Sequence, residues 1–203
     1  MSADIVFEVI GDDEPLSDYS TLLSQAFAEY PVMRNAFAHA PGVRTDWIKR
    51  LMGRALFNRR AMGIPCFSAK RDGKPVGVAV LSMSDRETPP ELIEGFTAIL
   101  SEAGPEATAF FDGFLSAVDS VSLPAGHVWI AILGVLPELQ GQGIARALID
   151  HVADFGRANP IYTGLGLDTE DDRNVTIYEK CGFRVLGQSS VGDMPVYVMW
   201  RDL

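Results

Sequence analysis

The chain has 203 residues, 47% of them hydrophobic and 22% charged, which excludes a disordered segment or a disulfide-stapled miniature and fits one packed domain spanning 1–203. Its net charge of −10, with no segregated basic patch, argues against nucleic acid or an anionic membrane surface as a partner. Cys66 and Cys181 lie far apart in a chain with no secretory leader pattern, so free thiols in a reducing, cytoplasmic compartment are expected.

Ile5 to Ile10 reads as a β-branched strand closed by the acidic turn from Gly11 to Pro15. A helix follows, capped by Ser17 or Asp18, with Leu22, Leu23, Ala26 and Phe27 at helical spacing and Pro31 as its stop. Trp47, Ile48, Leu51, Met52, Ala55 and Leu56 mark a second helix over about 44–62, its arginines left for solvent. Pro65 to Lys70 and Pro75 to Met83, joined through Asp72-Gly73, predict an antiparallel hairpin. Two amphipathic helices separated by Gly104-Pro105 form an insertion at about 86–124. Its Phe96, Phe110, Phe111 and Phe114 are expected in the core first and as the roof of a pocket second. The apolar run from Val128 to Pro137 is about half of the ~20 residues a bilayer span needs, so His127 to Val135 is a buried strand. After it come a helix from about Gln142 to Asn159, a strand over Ile161 to Asp168, a helix over Asp171 to Cys181, and two closing strands near Phe183 to Ser189 and Pro195 to Arg201.

The segment with chemical content begins at Gln140-Gly141-Gln142-Gly143-Ile144-Ala145-Arg146, where a buried strand gives way to a helix. A glycine-bearing turn at a helix N-terminus presents unpaired amides and the positive end of the helix dipole, a cradle for a diphosphate. A Rossmann fingerprint needs a third glycine where this chain has Arg146, and a P-loop needs a Gly-Lys-Ser/Thr that never occurs.

Gln140, Gly143 and Ala145 fill the Gln/Arg-x-x-Gly-x-Gly/Ala signature of the GNAT superfamily of N-acyltransferases. Leu133-Gly134-Val135 with Pro137, and Asn174, Tyr178 and Gly182-Phe183 downstream, extend the resemblance. Ala26-Phe27, Tyr30-Pro31 and His127-x-Trp129 resemble its puromycin N-acetyltransferase-like branch. The resemblance implies an α/β fold with a mixed, twisted sheet of about seven strands, helices on both faces, and the helical insertion between strands 3 and 4. It also implies acetyl-CoA as co-substrate and no metal. Leu133, Gly134 and Val135 would offer backbone to the pantetheine, Gln140 to Arg146 would hold the diphosphate, Asn174 would reach the pantetheine arm, and Tyr178 would protonate the departing thiolate.

In some relatives the strand carries Glu or His as a base, but here the matching positions hold Trp129 and Ala131. His127 is the nearest ionisable candidate base, on the same strand face as Trp129. Phe27, Tyr30 and Trp129 are the candidate acceptor contacts. The acidic run Asp168, Glu170, Asp171 and Asp172 is expected to be a solvated helix start favoured by the dipole, with attraction of a cationic amine as the alternative. The implied reaction is direct acetyl transfer to a primary amine of a small molecule, with a second copy of the chain left open as a partner. A protein or peptide amine, and a catalytically inactive acyl-CoA-binding module, are the competing readings.

Overall fold

The structure, a computed structural model, describes residues 4–203. In chain order it runs β1 (Ile5–Val9), α1 (Leu16–Ala26), α2 (Pro31–Ala36), α3 (Arg44–Ala61), β2 (Cys66–Arg71), β3 (Lys74–Met83), α4 (Pro90–Ala103), α5 (Pro105–Asp119), β4 (His127–Val135), a 3-10 turn (Pro137–Leu139), α6 (Ile144–Arg157), β5 (Gly164–Thr169), α7 (Asp172–Glu179), β6 (Arg184–Val191) and β7 (Met194–Asp202). The seven strands form one sheet in the order β1-β2-β3-β4-β5-β7-β6, in which β4 and β5 alone are parallel neighbours.

Strand alternation builds two cores from one sheet. Val78 and Val80 of β3 point to α1, α3 and the insertion helices, against Leu23, Ile48, Met52 and Phe111; Ala79 and Leu81 point to α6, against Leu148, Ile149 and Val152. Strand β4 breaks this rule once. Val80 pairs with Ile132 and Leu81 with Ile130, so Ala131 is the extra residue of a bulge. Ile130 therefore packs with the α6 core, whereas Ile132, two residues on, joins the opposite one.

The sequence reading holds for the hairpin, where Asp72 and Gly73 take φ of 52° and 73° as a tight two-residue turn requires. Elsewhere it needs correction. Helix α1 starts at Leu16 after Pro15, so Ser17 and Asp18 sit inside its first turn rather than capping it. Pro31 does not merely stop a helix: it opens the short α2, because a missing N–H costs nothing at a first helical position. Strand β5 starts at Gly164, leaving Ile161 and Tyr162 in a turn. Both cysteines are free.

The insertion α4–α5 lies between β3 and β4 in sequence and reaches across the sheet. Arg54 and Asn58 of α3 donate to the carbonyl of Leu92 in α4, and Ser189 of β6 donates to Ala117 O of α5 at 2.7 Å. It thus bridges α3 and β6 on one side of the sheet. No helix among the described residues is long and apolar enough to cross a membrane.

Candidate active site

Only three residue pairs join β4 to β5: His127 with Gly164, Val128 with Leu165, and Trp129 with Gly166. Beyond them β5 continues along β7 as far as Thr169, while β4 continues along β3 to Val135. The bulge at Ala131 comes just past the last pair and bends β4 away, because an inserted residue adds bend and twist. The β5-facing edge of Ile130 to Val135 is left without a neighbouring strand. A cleft of about 1500 Å³ enters through this gap and runs from the turn at Gly141 to the insertion helices.

At one end of the cleft, Gly141 and Gly143 adopt φ of +76° and +81°, which side-chain-bearing residues reach only with strain. A Cβ at either would meet nothing within 4 Å, so the space beside the backbone is open. Gly143 is the N-cap of α6 and no side chain caps that helix, which leaves its first-turn amides free for an anion. Gln140 folds back, donating to the carbonyl of Val135 at 3.2 Å, and so pins the turn to the strand end. Gln142 accepts from Arg71 at 3.2 Å and turns toward the β2–β3 hairpin, whereas Ile144, Ala145 and Arg146 line the cleft. Gly134 answers to packing: a Cβ there would come within 2.6 Å of Leu23 and 3.2 Å of Phe27, so its absence lets α1 sit against β4.

Tyr178, on α7, packs its half-buried ring edge-on to Phe183 at 6.0 Å. Burial, and then the negative charges of Asp168 and Glu170, push its phenol above the ordinary range, so it stays protonated. Asn174, one turn earlier, donates to Thr169 Oγ1 at 3.2 Å, and the same hydroxyl meets Tyr30 Oη at 3.1 Å. The Tyr30 hydroxyl also accepts from the Glu170 amide at 3.2 Å. One chain of hydrogen bonds therefore ties the α1–α2 loop to the end of β5 and to α7.

The acidic run divides. Asp171 caps α7 by accepting from the amide of Arg173 and pairs with its guanidinium, and the exposed Asp172 accepts from Tyr197. Those two are helix-start residues, as expected. Asp168 and Glu170 are withdrawn from solvent to different degrees: alternation along β5 places a half-buried Asp168 on the face of Gly166, beside Trp129, and Glu170 is 4% exposed. Burial raises both carboxyl groups, and the charge of Asp168 raises Glu170 further. Trp129 reaches Asp168 because Gly166 has no side chain; a Cβ there would lie 2.4 Å from the indole. His127 stands at the start of the seam with Trp129 and Trp200 at 6.4 and 6.0 Å. Its Nδ1 lies 2.9 Å from the carbonyl of Pro124, and because a carbonyl only accepts, Nδ1 is the donor.

The sequence profile of the acetyltransferase (GNAT) family matches residues 28–183. The chain belongs to the GNAT family. The N-alpha-acetyltransferase RimI of Mycobacterium tuberculosis is 34% identical over 74 residues, which are 34% of this GNAT chain and 46% of that protein, so the chain spans about half the length of that relative. Arylalkylamine N-acetyltransferase 2 from Aedes aegypti shares the fold at a TM-score of 0.72, with 16% identity and coverage of 98% of this chain and 99% of that one. The polyamine N-acetyltransferase of Drosophila melanogaster does so at 0.65, with 19% identity and coverage of 98% and 100%.

In this GNAT chain Leu133, Gly134, Val135, Gln140, Gly141, Gly143 to Arg146, Asn174 and Tyr178 all border one cleft, as do Phe27, Tyr30, Trp129 and His127. Gln142 does not border it. Phe111 is buried at the centre of an aromatic cluster with Phe96, Phe110 and Phe114, in keeping with a core role, while Phe96, Phe111 and Phe114 also line the cleft. The residues whose part sequence reasoning understated are Asp168 and Glu170. Period-two alternation from Leu165 and Leu167 would have turned Asp168 to the face opposite the apolar one. The burial of Glu170 depends on Tyr30, 140 positions away, and has no local signal.

Proposed function

We propose that this protein transfers the acetyl group of acetyl-CoA to the primary amine of a small molecule, by direct attack with both partners bound. The observation that carries the reading is the arrangement of one cleft: a glycine-lined, uncapped helix start at one end, a strand edge without a partner along its middle, and a protonated tyrosine in its lining. The residues fit coenzyme A. The amides of Gly143 to Arg146 suit its diphosphate, and the open edge of β4 suits pantetheine amides added as a further strand. The co-substrate supplies the activated thioester. The chain orients it, shields it from water between the sheet and the insertion helices, and holds at Tyr178 Oη the proton that a leaving thiolate takes. Two free thiols suit a cytoplasmic setting.

A small acceptor is favoured over a protein terminus because α4 and α5 roof the far half of the cleft with Phe96, Phe111, Phe114 and Val118. The fold neighbours from Aedes and Drosophila bear the names of amine acetyltransferases, in line with this reading, whereas the match to RimI favours a peptide amine. Calorimetry with CoA, followed by thiol release from acetyl-CoA in the presence of small amines and of peptides with free N-termini, tests the reading. Turnover confined to peptides would move the acceptor class. Saturable CoA binding with no turnover on any amine would make the chain a binding module.

A further inference from the structure

Glu170 Oε1 has no hydrogen-bond partner among the described residues, although Glu170 is 4% exposed and borders the cleft. A buried carboxyl oxygen left unpaired is costly, more so if charged, so a fold that keeps one in a cleft leaves it for a ligand. Among the described residues neither Glu170 nor Asp168 forms a salt bridge with an arginine or lysine. The groups acting on the pair are each other, the Tyr30 hydroxyl, the Trp129 indole and their own backbone, with the Tyr178 phenol on α7 also in their field. The other lining carboxylates are engaged or peripheral: Glu29 pairs with Arg44, Asp171 pairs with Arg173, and Asp119 lies exposed at the end of α5. The cleft that the pair borders is also lined by apolar and aromatic side chains, among them Phe27, Trp129, Phe114 and Val118.

From this geometry, and resting on the acetyl-transfer reading above, we infer that Asp168 and Glu170 together seat the ammonium group of the acceptor and take its proton, and that the acceptor is a monocationic primary amine with an aromatic or branched apolar body. Two facing carboxyls in a buried site keep one proton between them, so the pair offers one negative charge to one ammonium. The ammonium gives one N–H proton to the pair, and the freed nitrogen lone pair forms the new C–N bond at the acetyl carbonyl. The C–S bond breaks with its electrons on sulfur, which takes the Tyr178 proton. The nitrogen's surplus proton restores the phenol, and the pair returns its own proton to solvent.

The test uses CoA-saturated protein and two probes of one shape, 2-phenylethylamine and 2-phenylethanol, titrated by calorimetry. The amine is expected to bind about 30-fold more tightly than the alcohol, as a charge-assisted hydrogen bond in a buried site implies. The double variant Asp168→Asn/Glu170→Gln is expected to erase that preference while CoA affinity stays within twofold, whereas Asp168→Asn alone, which leaves Glu170 without the charge that raises it, is expected to keep part of it. In turnover, the double variant is expected to lose at least 100-fold in kcat/KM for the amine near neutral pH. Its rate then climbs about tenfold per pH unit, because only amine already neutral in solution reacts. Equal binding of amine and alcohol by the wild-type protein, or a preference that survives undiminished in the double variant, overturns the inference and leaves acetyl transfer standing. Tighter binding of putrescine than of 2-phenylethylamine overturns the acceptor class. Absence of CoA binding sinks the acetyl-transfer reading, and this inference with it.

Discussion

Replacing Gly143 by alanine separates two reasons for a glycine at the start of α6. The residue has φ of +81°, and a Cβ there meets no protein atom within 4 Å, so the cost to the folded chain is conformational rather than steric. Forcing alanine into the left-handed region costs about 1–2 kcal/mol. In a chain of this size each kcal/mol lowers Tm by roughly 2–4 °C, which gives a drop of about 2–8 °C without ligand. CoA binding is expected to suffer separately, because a methyl group would stand where phosphoryl oxygens approach the amides. Loss of even one charge-assisted hydrogen bond, at about 1.5–3 kcal/mol, raises Kd at least ~10-fold. Gly143→Asn is the control. Asparagine tolerates the left-handed region better, so part of the Tm returns, but its side chain fills the same space and CoA affinity does not recover. Thermal unfolding of the free protein and calorimetry with CoA read the two effects apart. If both variants bind CoA within twofold of the wild type while Tm falls, the glycine serves only the turn and the cradle argument is wrong.

Tyr178→Phe is expected to lower kcat by about 10²–10³-fold with CoA affinity nearly unchanged; equal losses in both, measured by steady-state kinetics and calorimetry, would make the phenol structural. Gly134→Ala brings a Cβ to 2.6 Å from Leu23 and is expected to cost about 1–3 kcal/mol in urea unfolding, and unchanged stability would show that α1 has room to retreat. Glu14 gives a pH dependence. Burial alone would raise its carboxyl, but hydrogen bonds from Lys70, Tyr19 and the Gly11 amide hold it down to about 2 from 4.5. A depressed carboxyl contributes stability that is full above the unfolded value of 4.5 and is lost as pH falls toward about 2. Allowing for partial exposure, urea unfolding across that window should show about 1–2 kcal/mol that Glu14→Gln abolishes, and an unaltered acid limb in the variant would assign the loss elsewhere.

Much of the architecture was legible because it rests on local rules. The glycine turn could be read from the strand before it and the helical stripe after it, and the Asp72-Gly73 hairpin from turn chemistry that the positive φ values bear out. Pro31 was misread because a proline ends one helix or begins another by the same property, and only the chain before it decides which. The bulge at Ala131 has no sequence signature, since it arises from register against β3. The acidic run was illegible for a similar reason. Four carboxylates within five positions look alike in sequence, yet one caps a helix, one meets Tyr197, and two are enclosed by Tyr30 and Trp129 brought from elsewhere in the chain. The role of Gly134 and Gly166 is equally remote, because each makes room for a side chain, Leu23 or Trp129, that sequence proximity does not announce.

The short seam between β4 and β5 makes the sheet resemble a book whose spine is three residues long. One leaf, β1 to β4 with α6, carries the glycine turn; the other, β5, β7 and β6 with α7, carries Tyr178 and the enclosed carboxyls. The bond from Ser189 to Ala117 is a clasp across the open side. The leaves nevertheless share a core on the α6 side, where Leu165, Leu167 and Met199 pack with Leu148 and Val152, so parting them means opening that core, and the cleft should keep its width until the protein melts.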